Sequence, residues 1–442
     1  MQRIGRIVLL LLWSFAWIGP VTAQTRSLDY YVTRAIRHNP QINDQQVAID
    51  SAGLDIKLAK AELARPLLYT TADYISAPVY GKYGYDTNIT DGGLYAALLN
   101  LEYPILHYRK LAVRTREGET AQRKFSDNIR LLGHNLRTAV TSQYITAYQN
   151  LGTMRYLRDV FSLLQKQEAM LKSLVQQGLV HVTDLQQIDI EIRRLRIEQT
   201  TAQNDYISSL KQLNVLSGIQ DSLDVELLAP PLIPDTSHIT QSQFLEQFRL
   251  DSLQLSIQEK VQELKYRPTL SVITTTGLNS SQTAQPAGLR YNYGYSIGLH
   301  FSAILYDGRQ KDLNRQKITV ARRSITGHRS NLANERTANL QSLRQRLKHV
   351  TEQLTQMNQQ IKSYQSLLNT YSAELARGEL SIIDYLTVLR NYLDSRNQQQ
   401  QIQGTHLQLI NEFKYWLWLL WILNKLYDCL LVVSCLSSGL FL

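Results

Sequence analysis

Only one short motif in the sequence resembles an enzymatic site. Residues Gly294 to Gly298 read G-Y-S-I-G, which fits the G-x-S-x-G pattern of a hydrolase nucleophile. That nucleophile needs a sharp strand-to-helix turn to expose its serine. Here apolar and polar residues alternate without interruption through the motif, which predicts a continuous strand with Ser296 on its polar face. We therefore expect no catalysis and no enzyme activity.

Metal, phosphate and nucleic-acid chemistry have no support in the rest of the sequence. The nine histidines are scattered, with no H-E-x-x-H pattern and no His/Cys cluster. The stretch from Gly277 to Gly288 lacks the lysine and helix start of a phosphate-binding loop, so we interpret it as a loop between strands. The net charge of +10 comes from Lys and Arg scattered among Gln, Asn and Glu, which is typical of solvated helix faces. No cofactor, metal or nucleic-acid partner is expected.

Two aspartates occupy matching positions in an internal repeat. Asp184 follows Gly178 by six residues, and Asp384 follows Gly378 by the same interval. Aspartate favours the first positions of a helix, where its charge and hydrogen bonds satisfy free backbone N–H groups. We favour this capping role for Asp184, and for Asp384 we leave it open beside a second role given below.

The two ends of the chain differ from the rest. A basic start, an apolar stretch from Ile7 to Ile18 and small residues after it are typical of a secretory signal peptide, which we assign to residues 1–23. Residues 413–442 form an atypical apolar tail, long enough to resemble a transmembrane helix. The only cysteines, Cys429 and Cys435, lie in this tail. We therefore expect an exported protein that is stabilised by burial and assembly rather than by disulfides.

The placement of prolines predicts two long helices. A proline inside a helix costs about 3 kcal/mol, and none occurs between Pro104 and Pro230 or after Pro286. The first gap predicts a helix from near Arg109 to near Gln177, roughly 100 Å long. In the second gap apolar residues recur at spacings of three and four, which predicts a left-handed supercoiled seam against a partner helix. These residues are Leu340, Leu343, Leu347, Val350, Leu354, Met357, Ile361, Tyr364, Leu368, Tyr371 and Leu375.

Four segments show the alternation of apolar and polar residues that predicts strands. They are residues 67–77, 93–105, 269–278 and 291–305. In a membrane barrel the apolar face of such a strand meets lipid and the polar face meets the lumen. Bacterial barrels need at least about eight strands, and an open edge in lipid leaves backbone groups unpaired. Several copies must therefore associate; two would supply eight strands and three would supply twelve.

The predicted order of elements occurs twice. We expect a first repeat at residues 24–228 and a second at 244–412, joined by a linker at 229–243. Each repeat reads helix, strand, strand, long helix, glycine turn and returning helix. The expected fold class is thus mainly α, with a membrane β-barrel portion and a coiled-coil portion.

In this arrangement the sequence resembles the TolC family of outer-membrane efflux proteins, from about Leu28 to Glu412. The matching motifs are Ala35-Ile36-Arg37-His38-Asn39-Pro40, Leu305-Tyr306-Asp307-Gly308-Arg309 and Gly178-Leu179-Val180-His181-Val182-Thr183-Asp184. The resemblance implies a homotrimer with a twelve-stranded barrel in the outer membrane of a Gram-negative bacterium, above a long periplasmic α-helical tunnel. It also implies a passive duct for drug efflux or type I secretion. The implied partners are outer-membrane lipid, a periplasmic adaptor (membrane fusion protein) and an inner-membrane transporter of the RND, ABC or MFS type.

The resemblance also assigns roles to the two glycine turns. In that family the turns lie at the periplasmic tip, where adaptors bind and the tunnel narrows. Asp384 matches an aspartate that lines the closed entrance, so a ring of these carboxylates would attract cations. Asp184 is its counterpart in the first repeat, and Thr387 stands where the family has a second acidic residue. The implied adaptor-docking residues are Gly178, Leu179, Val180, Gly378, Glu379 and Leu380.

A second function class remains open at this point. A periplasmic coiled-coil adaptor, or a structural protein of an export complex, would also contain long helices. Such an adaptor is expected to carry compact β-rich domains around a single helical hairpin. Two hairpins and amphipathic strands favour the duct.

Overall fold

The computed structural model describes residues 24–77, 80, 83, 92–220, 225–233, 242–281 and 292–418. The predicted signal peptide, both cysteines, the tail beyond Trp418 and parts of the linker and the strand-joining loops lie outside the described residues. The helices are α1 Leu28–His38, α2 Pro40–Ala64, α3 Tyr108–Gln176, α4 Val182–Leu216, α5 Phe244–Lys265, α6 Gln310–Ala376 and α7 Ile382–Leu417. The strands are β1 Gln24–Arg26, β2 Leu67–Ala77, β3 Gly92–Pro104, β4 Val225–Leu227, β5 Thr269–Ser281 and β6 Asn292–Ser302.

The chain forms two compact units, and each is assembled from separate stretches of sequence. The first unit comprises Met1–Ile42, Leu131–Ser242 and Glu335–Leu442. The second comprises Asn43–Arg130 and Gln243–Asn334, and it contains the strands β2, β3, β5 and β6. The long helices α3 and α6 contribute residues to both units, so each predicted repeat also contributes to both.

The second unit contains an antiparallel sheet with the strand order β2-β3-β5-β6. One face of this sheet is apolar and aromatic, and on β6 it exposes Tyr295 (81%), Ile297 (72%) and Leu299 (72%). On the opposite face Asn100 donates to Thr71 Oγ1 at 3.1 Å and accepts from Thr275 Oγ1 at 3.1 Å. On β6 the alternation in sequence therefore corresponds to one apolar and one polar face, whereas the edge strand β2 exposes apolar side chains on both faces, with Leu67 and Tyr69 on the side of Asn100.

The last strand is shorter than the alternation predicts. β6 ends at Ser302, whereas the pattern extends to about residue 305. The reason is the neighbouring strand: β5 begins at Thr269, directly after Pro268, and Thr269 is the residue paired with Ser302. Beyond this pair the ladder has no partner strand, so residues 303–305 are irregular although their side chains continue the pattern.

Two antiparallel helix pairs, α3 with α4 and α6 with α7, supply the core of the first unit. The predicted seam of α6 is buried at Leu340, Leu343, Val350, Met357, Ile361, Leu368 and Leu375. Its partner belongs to the same chain: Leu340, Leu343 and Val350 pack against Leu409, Phe413 and Leu417 of α7. Nearer the glycine turns, residues of all four helices form one cluster. The heptad seam therefore joins the two helices of one hairpin from Leu340 to Val350, and at Leu368 and Leu375 it packs within the four-helix cluster.

A separate cluster anchors the start of the described chain. Helix α1 packs on α3 and α4, and the three-residue strands β1 and β4 pair in parallel beside it. The fully buried Tyr144 hydroxyl lies 2.6 Å from the carbonyl oxygen of Leu228 and 3.1 Å from that of Arg26, and it donates between them. Burial raises the pKa of Tyr144. The strands β1 and β4 are too short to produce a sequence pattern.

The end of α7 extends past the predicted limit of the second repeat. The helix continues to Leu417, five residues beyond Glu412. The ring of His134 on α3 stacks on Tyr415 (5.0 Å between centroids) and on Trp418 (4.2 Å), and its Nε2 lies 3.0 Å from the carbonyl oxygen of Tyr415. Burial lowers the pKa of His134 to about 4. Within the described residues no helix combines the length and apolar character that a membrane crossing requires.

Candidate functional site

The two glycine turns have the same backbone geometry. Gly178 has φ +76° and Gly378 has φ +72°, in the left-handed region that glycine adopts without strain. In the first turn the N–H of Leu179 donates to Leu174 O and the N–H of Gly178 donates to Val175 O, both at 3.0 Å. The second turn repeats these bonds, from Glu379 to Glu374 and from Gly378 to Leu375. Both are Schellman motifs, which end α3 and α6 and reverse the chain.

The predicted docking residues differ in exposure along each turn. Gly178 and Leu179 are exposed, with 61% of Leu179 accessible, whereas Val180 is half-buried against the helical cluster. The apolar side chain of Leu179 is thus exposed to solvent at the end of the hairpin, and Val180 packs the turn against the core.

The second turn follows the same plan but exposes a charge instead of an apolar group. Gly378 and Glu379 are exposed, and Leu380 is half-buried against the same cluster. Glu379 pairs with Arg377 at 2.7 Å, and both side chains are about 60% exposed. Such an exposed pair contributes little to stability. The two turns therefore share a shape and differ in chemistry.

Asp184 caps helix α4. Its carboxylate accepts a hydrogen bond from the backbone N–H of His181 at 3.2 Å, and its own N–H donates to the carbonyl oxygen of His181 at 3.1 Å. His181 is the residue before the helix, so Asp184 occupies the third helical position, where a capping carboxylate reaches back. The Asp184 side chain is half-buried.

Asp384 occupies the equivalent position of α7 but does not cap it. Here Ser381 caps the helix, since its hydroxyl accepts from the N–H of Ile383 at 3.2 Å. The exposed Asp384 carboxylate forms no hydrogen bond or ion pair with any described residue. Thr387, one turn later and also exposed, donates its hydroxyl to Ile383 O at 2.8 Å. The structure thus leaves the Asp384 carboxylate available to solvent, whereas that of Asp184 is engaged.

A buried carboxylate between α4 and α7 was not predicted from the sequence. Glu191 is 2% exposed and accepts from Arg194 Nη2 at 2.5 Å and from Arg390 Nη2 at 2.9 Å. Burial alone would raise the pKa of Glu191, but the bonds from Arg390 and Arg194 outweigh it and lower the pKa. The three-residue spacing of Glu191 and Arg194 is a sequence signal for an ion pair within one helix. Arg390 lies 199 residues from Glu191, so no local spacing indicates that contact. Glu191 therefore ties the two returning helices together.

The G-x-S-x-G motif does not adopt the geometry of a hydrolase nucleophile. Ser296 lies in the middle of β6, paired with Thr275, so no strand-to-helix turn occurs at the G-x-S-x-G motif. Among the described residues no group of three His, Cys, Asp or Glu side chains is placed to hold a metal ion.

Comparison with known proteins identifies the fold. No protein-family model matches the chain, and no curated protein sequence matches it significantly. Among solved structures, the outer membrane protein VceC of Vibrio cholerae is similar with a TM-score of 0.68 and 13% identity, over 88% of this chain and 95% of VceC. The CmeC outer membrane channel of Campylobacter jejuni gives 0.67 and 15%, over 88% of this chain and 85% of CmeC. The MtrE outer membrane channel of Neisseria gonorrhoeae gives 0.64 and 10%, over 88% of each chain.

At these identities the likeness establishes a shared fold. The fold expected from the resemblance to the TolC family is therefore confirmed for the single chain.

Proposed function

We propose that the chain is a subunit of an outer-membrane export duct of a Gram-negative bacterium, closed by several copies of itself. The observation that carries the proposal is the four-stranded sheet, in which β2 and β6 form the two edges among the described strands. In lipid, backbone groups must be paired within protein, and four strands are too few to close a barrel. Because β2 and β6 run in opposite directions, β6 of one copy can pair with β2 of the next and preserve the antiparallel alternation.

The two faces of β6 fit lipid on one side and water on the other. The exposed tyrosine and aliphatic side chains of β6 would be a costly surface in water but match the hydrocarbon band of a membrane. The Asn100 network on the other face suits a hydrated lumen. Three copies would give the twelve strands that the resemblance implies.

A ring of Asp384 carboxylates would act as an electrostatic gate at the entrance of this duct. The proposal is supported by the exposed, unengaged state of Asp384, in contrast to the capping role of Asp184. Several carboxylates brought together at a narrow pore attract cations. Asp384→Asn should weaken block by divalent cations or raise conductance, whereas Asp184→Asn should leave block unchanged. Equal effects of the two substitutions would remove the gating role.

The glycine turns would form the docking surface for a periplasmic adaptor. Support comes from the matched geometry of the turns and from the apolar side chain of Leu179, which is exposed at the end of a hairpin. Through that adaptor the duct would serve an inner-membrane transporter of the RND, ABC or MFS type, in drug efflux or in type I secretion.

Single-channel recording tests the duct. The purified full-length protein should produce stable conductance steps in planar bilayers, and it should fractionate with outer membranes as a species whose gel mobility changes on heating. A soluble periplasmic protein without conductance would overturn the duct and favour the adaptor.

A further inference from the structure

A groove lies where the sheet of the second unit joins its helices. It has a volume of about 470 Å³ and is formed by the start of α3 and by the segment that leads from α5 into β5. Its apolar wall includes Leu106, Leu264 and Pro268, and its cations are Arg109, Lys110 and Arg267. The groove thus combines an apolar surface with a concentration of positive charge.

The three cations of the groove have no acidic counterpart in it. No carboxylate lines the groove, and none of the three cations forms an ion pair with a described residue. Lys110 also lines the neighbouring cleft of the same unit, which contains Glu62 and Glu117, whereas Arg109 and Arg267 do not line that cleft. Arg109 and Lys110 also lie in the first turn of α3, which contains no acidic residue and where positive charge opposes the helix dipole. Their position is therefore not explained by the stability of that helix.

The location of the groove fixes what can reach it. β5 begins at Thr269 on the rim of the groove, and the ladder between β3 and β5 ends there at the pair Pro104 and Ser271. The eleven residues of β6 extend about 36 Å, or roughly 25–30 Å across a membrane at the tilt usual for barrels. That height matches the hydrocarbon band, so the ends of the strands lie at the level of the lipid headgroups.

The geometry points to a binding site for an anionic phospholipid, an inference that rests on the proposed membrane position of the sheet. The phosphate would lie among Arg109, Lys110 and Arg267, and an acyl chain would run along Leu106 and the neighbouring apolar residues. Basic pockets at the edge of a membrane protein select anionic headgroups in this way. Because the groove offers cations and no carboxylate, it favours phosphatidylglycerol over a zwitterionic lipid.

The test compares lipid binding to the full-length protein in detergent micelles by native mass spectrometry. The probes are dioleoylphosphatidylglycerol and dioleoylphosphatidylcholine. The wild type should bind phosphatidylglycerol at least tenfold more tightly, and the triple variant Arg109→Gln, Lys110→Gln and Arg267→Gln should lose this preference. A wild type that binds both lipids equally would overturn the site.

A matched control removes the same charge elsewhere in the unit. Lys57, Lys60 and Arg116 are exposed and do not line the groove. The triple variant Lys57→Gln, Lys60→Gln and Arg116→Gln should keep the preference within about twofold. An equal loss in the control would show long-range attraction without a site and overturn the proposal.

Two further measurements separate the lipid from other occupants and from the duct itself. Leu106 is 59% exposed, so Leu106→Gln should fold normally and weaken phosphatidylglycerol binding several-fold. If glycerol phosphate competes as well as the lipid does, or if Leu106→Gln binds normally, the groove recognises a soluble anion and the lipid assignment fails. Conductance is recorded on the same samples. Conductance without a lipid preference would contradict only the lipid site, whereas absence of conductance would contradict the proposed duct.

Discussion

Removal of both arginines around Glu191 should disrupt the returning helices more than removal of Glu191 itself. The Glu191 side chain is 2% exposed, whereas Arg194 and Arg390 are 47% and 53% exposed. In Arg194→Gln with Arg390→Gln, a buried carboxylate loses both of its counter-charges. Truncation of the partners of a buried charge costs about 3–5 kcal/mol.

The reverse change should be milder. Glu191→Gln leaves two arginines that already reach water, so they regain hydration, and the loss is expected to be about 1 kcal/mol. Arg390→Gln alone leaves Arg194 in contact with the carboxylate and should cost about 1–2 kcal/mol. The variant that combines Glu191→Gln, Arg194→Gln and Arg390→Gln leaves no charge in the cluster. It should be more stable than the double arginine variant.

Native-state hydrogen exchange followed by mass spectrometry measures this order locally in the assembled protein. Amides of α4 and α7 near Glu191 should exchange about two to three orders of magnitude faster in the double arginine variant, and roughly tenfold or less in Glu191→Gln. Peptides from β5 serve as an internal control and should not change. If Glu191→Gln is as damaging as the double arginine variant, the argument from burial is wrong.

The same cluster predicts a pH dependence. The pKa of Glu191 in the folded protein lies below its ordinary value of 4.5. A lowered carboxylate pKa stabilises the folded state fully above the unfolded-state value, and the contribution disappears as the pH falls through the folded-state pKa. Exchange near Glu191 should therefore accelerate only below about pH 4.5, and Glu191→Gln should remove that acceleration. Acceleration that persists in Glu191→Gln would assign it to another group.

Two further substitutions test the packing of the first unit. His134 has a folded-state pKa of about 4, below its ordinary 6.5, so stability should fall by up to about 3 kcal/mol as the pH drops from 6.5 to 4. His134→Gln should remove this pH dependence of stability, measured by thermal unfolding with tryptophan fluorescence as the signal. An unchanged pH dependence in the variant would contradict the role of His134. Tyr144→Phe removes the hydroxyl donor to the carbonyl of Leu228 and one of the two donors to the carbonyl of Arg26, which keeps the N–H of Leu228. It should cost about 1–2 kcal/mol, measured as faster exchange in β1 and β4 with no acceleration near Glu191.

Features with a local period could be predicted from the sequence. The alternation on β6 and the heptad seam on α6 depend only on neighbouring residues, and both elements form over most of the residues that carry the pattern, with β6 ending at Ser302. Gly178 and Gly378 likewise mark the ends of their helices, because the turn there needs a residue with positive φ and glycine adopts it without strain.

Features that depend on packing could not be predicted. The pattern at Leu340 and Leu343 shows that a partner helix exists but not that it is α7 of the same chain. Asp184 and Asp384 occupy equal positions, yet a serine at 381 takes over the cap in one repeat and frees the aspartate. The contact of Arg390 with Glu191 joins helices from opposite halves of the sequence, and no spacing rule reveals it.

The proposal that copies complete one another's sheet can be tested by cross-linking its two edges. Tyr74 on β2 and Ile297 on β6 are both exposed on the apolar face. In a background with Cys429→Ser and Cys435→Ser, Tyr74→Cys is combined in turn with cysteine at Tyr295, Ile297 or Leu299. At least one pair should oxidise to covalent dimers and trimers, whereas cysteines at Leu99 and Ile297, separated by β5, should not. Membrane-embedded protein that remains monomeric with every edge pair would contradict the shared barrel.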